Sequence, residues 1–264
     1  MLGMLRGLWN YRNFVVTSIR NEFIARFSRS KLGGLWMIIH PLAQVAIYAL
    51  ILSNVLGAKL PGIDNKYAYA LYLMAGMLAW NLFAEVVSRC LTLFIEQGNL
   101  MKKMSFPRIT LPVIVVGTAL LNNVLLFVAV VAVFTAFGQP PTLQALWLLP
   151  LTFAVIALAV GLGLTLGVLN VFLRDIGQVV PIILQVWFWF TPIVYSVNII
   201  PEYMKGVLEL NPLYPIVTGY HNVLVYARMP NLDETGLIIM VAVGLMIVGL
   251  FMFRRASAEM VDSL

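Results

Sequence analysis

Charge is scarce in this chain. Of its 264 residues only 11% are charged and 61% are hydrophobic, against about 25% and about 45–50% in soluble domains. A water-soluble fold of this length could not hide so much apolar surface, so the natural solvent is lipid. A mean hydropathy of +0.94 agrees. There is one cysteine, Cys90, set in an apolar run. That excludes an intrachain disulfide, and no redox or metal motif can be built on it. The two histidines, His40 and His221, are expected on opposite sides of the membrane, so they share no metal. The chain has no Gly-Lys dipeptide and hence no phosphate-cradling G-x-x-x-x-G-K-[ST] loop. G-x-S-x-G and H-E-x-x-H are missing too. The expectation is a protein that is not an enzyme, holds no cofactor and no metal, and binds no ATP itself. Residues 1–16 carry Arg6 and Arg12 and lack a continuous apolar core, so no signal peptide is expected and the first span would direct insertion.

What the chain has instead is long apolar runs. No charge occurs between Lys31 and Lys59 or between Ile109 and Leu173. The first run supplies a span at 35–56, which as a helix extends about 33 Å against about 30 Å of hydrocarbon. Gly138, Pro140 and Pro141 divide the second run into spans at 109–137 and 143–172. Further spans are expected at 69–91, 176–195 and 237–253. The fold expected is an all-α integral membrane protein of six transmembrane helices in a single domain, 1–264, with no internal repeat and no soluble module.

The net charge of +6 could point to nucleic acid, but the basic residues punctuate the apolar runs, which is the pattern of membrane topology. With six spans, twelve Lys and Arg fall on one side and four on the other, with Arg89 inside the second span. The basic side faces the cytoplasm. Both termini are therefore expected there, in a multi-pass protein of a bacterial inner membrane that binds membrane lipids and no nucleic acid.

Two segments are not expected to span. Residues 11–30 place Val16, Ile19, Phe23, Ile24 and Phe27 on one arc of a helix, with Thr17, Ser18, Asn21, Glu22 and Arg29 opposite. Such a helix lies flat in the inner headgroup layer. Arg20 falls inside the apolar arc, where it either snorkels or pairs within the membrane. Residues 201–227 are apolar but interrupted by Pro201, Pro212, Pro215 and Gly219. Each half is too short to cross. They read either as a re-entrant outer pair, which requires cover by protein or a water-filled cavity, or as two helices resting on the bilayer.

Polar chemistry inside the spans is sparse. Glu85 and Arg89 are four residues apart in the favourable order for an intrahelical pair. They either stabilise the inner end of the second span or contact a substrate. Trp187, Phe188, Trp189 and Phe190, with Tyr195 beyond them, cluster at the outer end of the fifth span. They serve either as an interfacial anchor or as flat surfaces on which sugar rings can stack.

Several stretches together resemble the permease subunit of type-2 ABC transporters, most closely the polysaccharide exporters. They are Arg29-Ser30-Lys31-Leu32-Gly33-Gly34-Leu35-Trp36 with His40-Pro41-Leu42, then Asn99-Leu100-Met101-Lys102-Lys103-Met104-Ser105-Phe106-Pro107 with Leu111-Pro112. Arg174-Asp175, Leu184-Gln185, Thr191-Pro192-Ile193-Val194-Tyr195 and Asn211-Pro212 follow. Their order and spacing cover essentially the whole chain, and within the family the O-antigen exporter permeases are most similar. Capsule and teichoic acid exporters come next, and a small-molecule exporter is a further alternative.

The resemblance implies a homodimer served by two copies of a separate nucleotide-binding ATPase. It implies that 99–107 is the coupling helix docking on that ATPase through Asn99, Leu100, Met101, Lys102, Lys103, Phe106 and Pro107. The implied cargo is a polysaccharide linked to undecaprenyl diphosphate. On that reading the aromatics 187–190 and Tyr195 line the glycan path. Arg20, Arg26, Arg29 and Lys31 are placed to attract the lipid diphosphate. Pro201, Asn211 and Pro212 belong to a gate at the periplasmic mouth.

Overall fold

The computed structural model describes residues 7–27, 35–50, 68–103, 106–197, 200–201, 206 and 208–263. Among them the regular structure is helical. The elements are α1 (Arg12–Phe27), α2 (Trp36–Leu50), α3 (Ala68–Glu96), α4 (Gly98–Lys103), α5 (Thr110–Ala136), a 3-10 turn (Leu143–Trp147), α6 (Leu148–Phe172), α7 (Ile176–Trp189), α8 (Leu213–Leu224) and α9 (Leu232–Ser263).

Among the described residues four helices are long and apolar enough to cross a membrane: Ala68–Glu96, Thr110–Ala136, Leu143–Phe172 and Leu232–Ser257. They lie where the charge-free runs place spans two, three, four and six. For the first span the described part is α2, and 51–56 lie outside the described residues.

Where a fifth span is expected at 176–195, the helix is shorter. α7 stops at Trp189 after 14 residues, about 21 Å long. The amides of Phe190 and Thr191 still reach back to Val186 and Phe188. Pro192 has no amide to continue the ladder, and it disfavours helical geometry at Thr191. Residues 190–195 therefore form irregular chain. They are sheltered: Thr191, Pro192, Ile193 and Val194 are all buried.

α3 is the centre of the bundle. Leu71, Leu73, Ala75, Ala79, Phe83, Val86, Cys90 and Phe94 are fully buried, and α2, α5, α6, α7 and α8 all pack on it. Lipid tails are as apolar as Leu, so close backbone approach rather than water exclusion holds such helices together. α6 shows how. Gly163 and Gly167, four apart, seat the α3 backbone: a Cβ at Gly163 would fall 2.8 Å from Cys90 Cβ and one at Gly167 2.3 Å from Cys90 O. On the other side Gly161 and Gly249 bring α9 into backbone contact. A Cβ at Gly161 would lie 2.5 Å from the carbonyl carbon of Leu245.

Gly161→Val is therefore expected to force α6 and α9 apart and to lower stability by an overpacking cost on the order of 1–3 kcal/mol. Gly244→Ala, where a Cβ meets nothing within 4 Å, serves as the control. Thermal unfolding in detergent followed by intrinsic fluorescence checks the pair. Equal melting temperatures for the two variants would contradict this packing.

Candidate functional site

Three places bring the candidate residues together: a polar junction among α1, α3 and α5, the exposed face of α7, and the junction between α7 and α8.

The polar junction is built from α1, α3 and α5. Arg89 of α3 donates through Nη2 to Glu22 Oε1 of α1, and its Nη1 lies 3.7 Å from Glu85 Oε1. Glu85 also accepts from Asn122 Nδ2 of α5 at 2.7 Å, and the Thr118 hydroxyl sits 3.1 Å from Glu22 Oε2. One guanidinium thus lies against two carboxylates, with Asn122 of α5 donating to one of them and the Thr118 hydroxyl within hydrogen-bond reach of the other. This is how charge becomes tolerable away from water.

The intrahelical Glu85–Arg89 pair expected from the spacing is present, but Glu22, expected on the water-facing side of α1, turns into the protein. Gly117 explains why α1 can come so close, since Ile19 Cδ1 lies where a Cβ would be, at 2.4 Å. α1 therefore packs Val15, Ile19 and Glu22 inward, while Val16 and Ile24, 65% and 50% exposed, look outward beside the exposed Arg20.

Beneath this junction is a cavity of about 570 Å³ lined by Ser18, Glu22, Ser88, Arg89, Thr92 and Glu96, among others. Leu100 of α4 also borders it, so the polar cavity reaches the segment expected to couple to an ATPase. On α4, Asn99 and Lys102 are exposed, one turn apart, while Met101 is buried and Leu100 half-buried. Lys103 is the last residue of α4. Phe106, the expected docking knob, turns toward α1, its ring 6.0 Å from that of Phe14. Pro107 is half-buried against Gly7. Among the residues of this segment whose burial is described, Asn99 and Lys102 face outward. Of the basic residues assigned to a lipid diphosphate, Arg20 is exposed on α1 and Arg26 is in the last turn of the same helix. Arg29 and Lys31 lie outside the described residues.

α7 touches the body along one narrow stripe: Val180, Leu184 and Phe188 are buried and Trp187 half-buried. Phe188 packs edge-on against Trp80 at 5.4 Å, and Trp187 against Phe83 at 5.3 Å. Val179, Ile182, Ile183, Val186, Trp189 and Phe190 are each between 49% and 63% exposed. Their spacing of three and four residues makes them one continuous face. The five aromatics expected on one path are therefore divided. Trp189 and Phe190 face outward. Trp187 and Phe188 are structural. Tyr195 is half-buried and donates to the Trp189 carbonyl at 3.0 Å.

At the α7–α8 junction Asn211 is buried and fully engaged. Its Oδ1 accepts from Trp187 Nε1 at 2.8 Å and from the Leu213 amide at 3.0 Å. Its Nδ2 donates to Thr191 Oγ1 at 2.9 Å and to the Phe190 carbonyl at 3.1 Å. Asn211 thus joins the end of α7 to the start of α8, and Pro212 begins that helix. α8 is deeply packed, with Ile216, Val217, Tyr220 and His221 buried. His221 stacks on Tyr72 at 3.6 Å. Pro201 is exposed, and 202–205 and 207 lie outside the described residues.

The sequence reading missed Glu22 as the partner of Arg89. It also missed Tyr69 and Tyr72, whose hydroxyls reach the carbonyls of Val194, Pro192 and Tyr195. An acidic residue opposite an intramembrane arginine was the available signal for the first. Among the described residues, no group of three His, Cys, Asp or Glu side chains is placed to hold a metal ion.

Comparison with known proteins places these features in context. The family model described as "ABC-2 type transporter" matches residues 14–225. An O-antigen export system permease protein RfbA of Myxococcus xanthus is 26% identical over 266 residues, covering all of both chains. A protein of the same name from Klebsiella pneumoniae is 28% identical over 249 residues, 92% of each chain. The polysialic acid transport protein KpsM of Escherichia coli is 23% identical over 247 residues, 92% of this chain and 93% of its own.

The junction lends itself to a double-mutant cycle. Glu22→Gln and Arg89→Gln should each destabilise the protein, and the double variant should lose less than their sum. The expected coupling is about 0.5–3 kcal/mol, as for groups in one hydrogen-bonded network. Denaturation in detergent measures it, and strict additivity would mean that α1 is not held through this pair.

Proposed function

This chain belongs to the ABC-2 type transporter family, and from that premise we propose that it is the membrane-spanning subunit of an ABC exporter moving undecaprenyl-diphosphate-linked O-antigen polysaccharide from cytoplasm to periplasm. The observation that carries the reading is the end-to-end similarity to O-antigen export permeases, across all of this chain and all of the Myxococcus protein. The shorter and weaker similarity to polysialic acid transport proteins supports capsule polysaccharide as the second choice of cargo.

The functional unit is a homodimer of six-span subunits in the bacterial inner membrane, with both termini cytoplasmic. The exposed face of α7 supports this. In a bilayer it would otherwise offer a helix of about 21 Å to lipid, a poor match to about 30 Å of hydrocarbon. Set against the same face of a second copy, it lines a path. Trp189 and Phe190 then give passing sugars flat surfaces near the exit. Weak repeated contacts of this kind let cargo both enter and leave.

ATP is bound by a separate subunit, present in two copies. The coupling segment 99–107 meets it through Asn99 and Lys102, with Lys103 adding charge. Motion there has a short route inward, because the α4 residue Leu100 borders the same polar cavity as Arg89 and Glu22. Arg20, Arg26, Arg29 and Lys31 attract the lipid diphosphate at the inner surface. At the outer mouth Pro201, Asn211 and Pro212 form the gate region, with the Asn211 hydrogen bonds fixing its inner hinge.

Deleting the gene while leaving glycan synthesis intact is the direct test. Loss of surface polysaccharide with lipid-linked polymer building up on the cytoplasmic side is the expected result. Surface polysaccharide that persists unchanged would refute the cargo assignment.

A further inference from the structure

α5 and α9 both lean on α6 but not on each other along their length, because α5 is drawn to α3 and α1 while α9 follows α6. A groove of about 500 Å³ lies between them. Its walls are Val113 and Val116 of α5, Val160 of α6 and Ile247, Leu250 and Phe251 of α9, with further apolar neighbours. Among the described residues Arg254 is the one charged residue that lines it. From Met246 to Arg254 the α9 wall runs about 12 Å along the helix axis, from apolar depth to the level at which the charge-free part of α9 ends.

We propose that this groove is a binding site for an anionic phospholipid of the inner leaflet, with one acyl chain between α5 and α9 and the phosphate at Arg254. Two features carry the assignment. An apolar recess this size facing hydrocarbon has to be filled, since an unfilled void forfeits the dispersion contacts of its whole lining. A chain of methylenes fits a lining with no hydrogen-bonding side chain until its end. That end then selects charge. Among the described residues no acidic side chain pairs with Arg254, and its guanidinium is exposed.

Arg108 is committed elsewhere, donating to the Ser257 carbonyl, which ties the start of α5 to α9 just past the groove. The site thus offers one cation and one apolar slot, the complement of a phosphatidylglycerol headgroup and chain. It also bridges two helices that otherwise touch little, so its occupant braces the cytoplasmic ends of α5 and α9.

The test is native mass spectrometry of the full chain released from detergent after equilibration with equimolar phosphatidylglycerol and phosphatidylethanolamine. Retained adducts are expected to be phosphatidylglycerol in excess. Arg254→Gln should lower that excess by about five-fold, the attraction of one basic residue near an anionic headgroup. Ile247→Trp, which fills the slot at an already half-exposed position, should lower total adducts of both lipids. Arg255→Gln removes the same charge from outside the groove and should leave the adducts unchanged.

Equal retention of the two lipids would overturn the site, and so would equal losses in the Arg254 and Arg255 variants. Loss of the dimer signal with Ile247→Trp, without loss of lipid, would assign the groove to a second copy of the chain instead. Displacement of phosphatidylglycerol by equimolar undecaprenyl diphosphate would assign it to a carrier lipid and likewise overturn the proposal.

Discussion

A bilayer offers no hydrogen-bond partners, so each polar group at membrane depth has to find one inside the protein. In this chain those partners converge on α3. Asn123 of α5 donates to the Leu78 carbonyl at 2.9 Å, and Asn170 at the end of α6 donates to the Leu91 carbonyl at 2.9 Å. Tyr69 and Tyr72 hold the irregular chain after α7. Arg89 holds α1 through Glu22. Trp80 and Phe83 receive Phe188 and Trp187. α3 is thus a post to which neighbouring elements are tied at separate heights, by contacts that hydrocarbon makes costly to break.

The strength of those ties is uneven, and the unevenness is where function enters. α6 meets α3 and α9 backbone to backbone through glycine, with no space for a side chain between them. α8 is locked by Asn211 at its start and by the His221–Tyr72 stack further along. α7, the short apolar helix, is held by a thin stripe, and it presents its wider face outward. A fixed block with one lightly held helix suits a subunit whose path is formed against a second copy. The same economy appears where α1, α3 and the short α4 border one polar cavity.

Much of this architecture was legible in the sequence because charge is so rare. Runs without Lys, Arg, Asp or Glu mark where helices can cross, and Gly138, Pro140 and Pro141 mark where the chain turns. The Glu85–Arg89 pair followed from spacing alone. What escaped was anything decided between distant segments. The wheel of α1 separates apolar from polar residues, but it does not say which side meets protein, and Gly117 drew in the side carrying Glu22. The four aromatics 187–190 look alike in sequence. Their division into two packed and two exposed depends on Trp80 and Phe83, a hundred residues earlier. The end of α7 could have been placed better, since Thr191-Pro192 is itself a helix-stopping pair.

The most direct measurement is a cysteine cross-link at the exposed centre of α7. The native Cys90 is buried and contributes no reactive background, so Ile183→Cys supplies the one accessible thiol on this helix. In cells making the polymer and the ATPase partner, oxidant should yield a disulfide-linked pair of chains and stop surface display of polysaccharide, with reductant restoring it. A chain that is fully expressed, forms no linked pair under oxidant and exports normally would contradict a cargo path between two α7 faces.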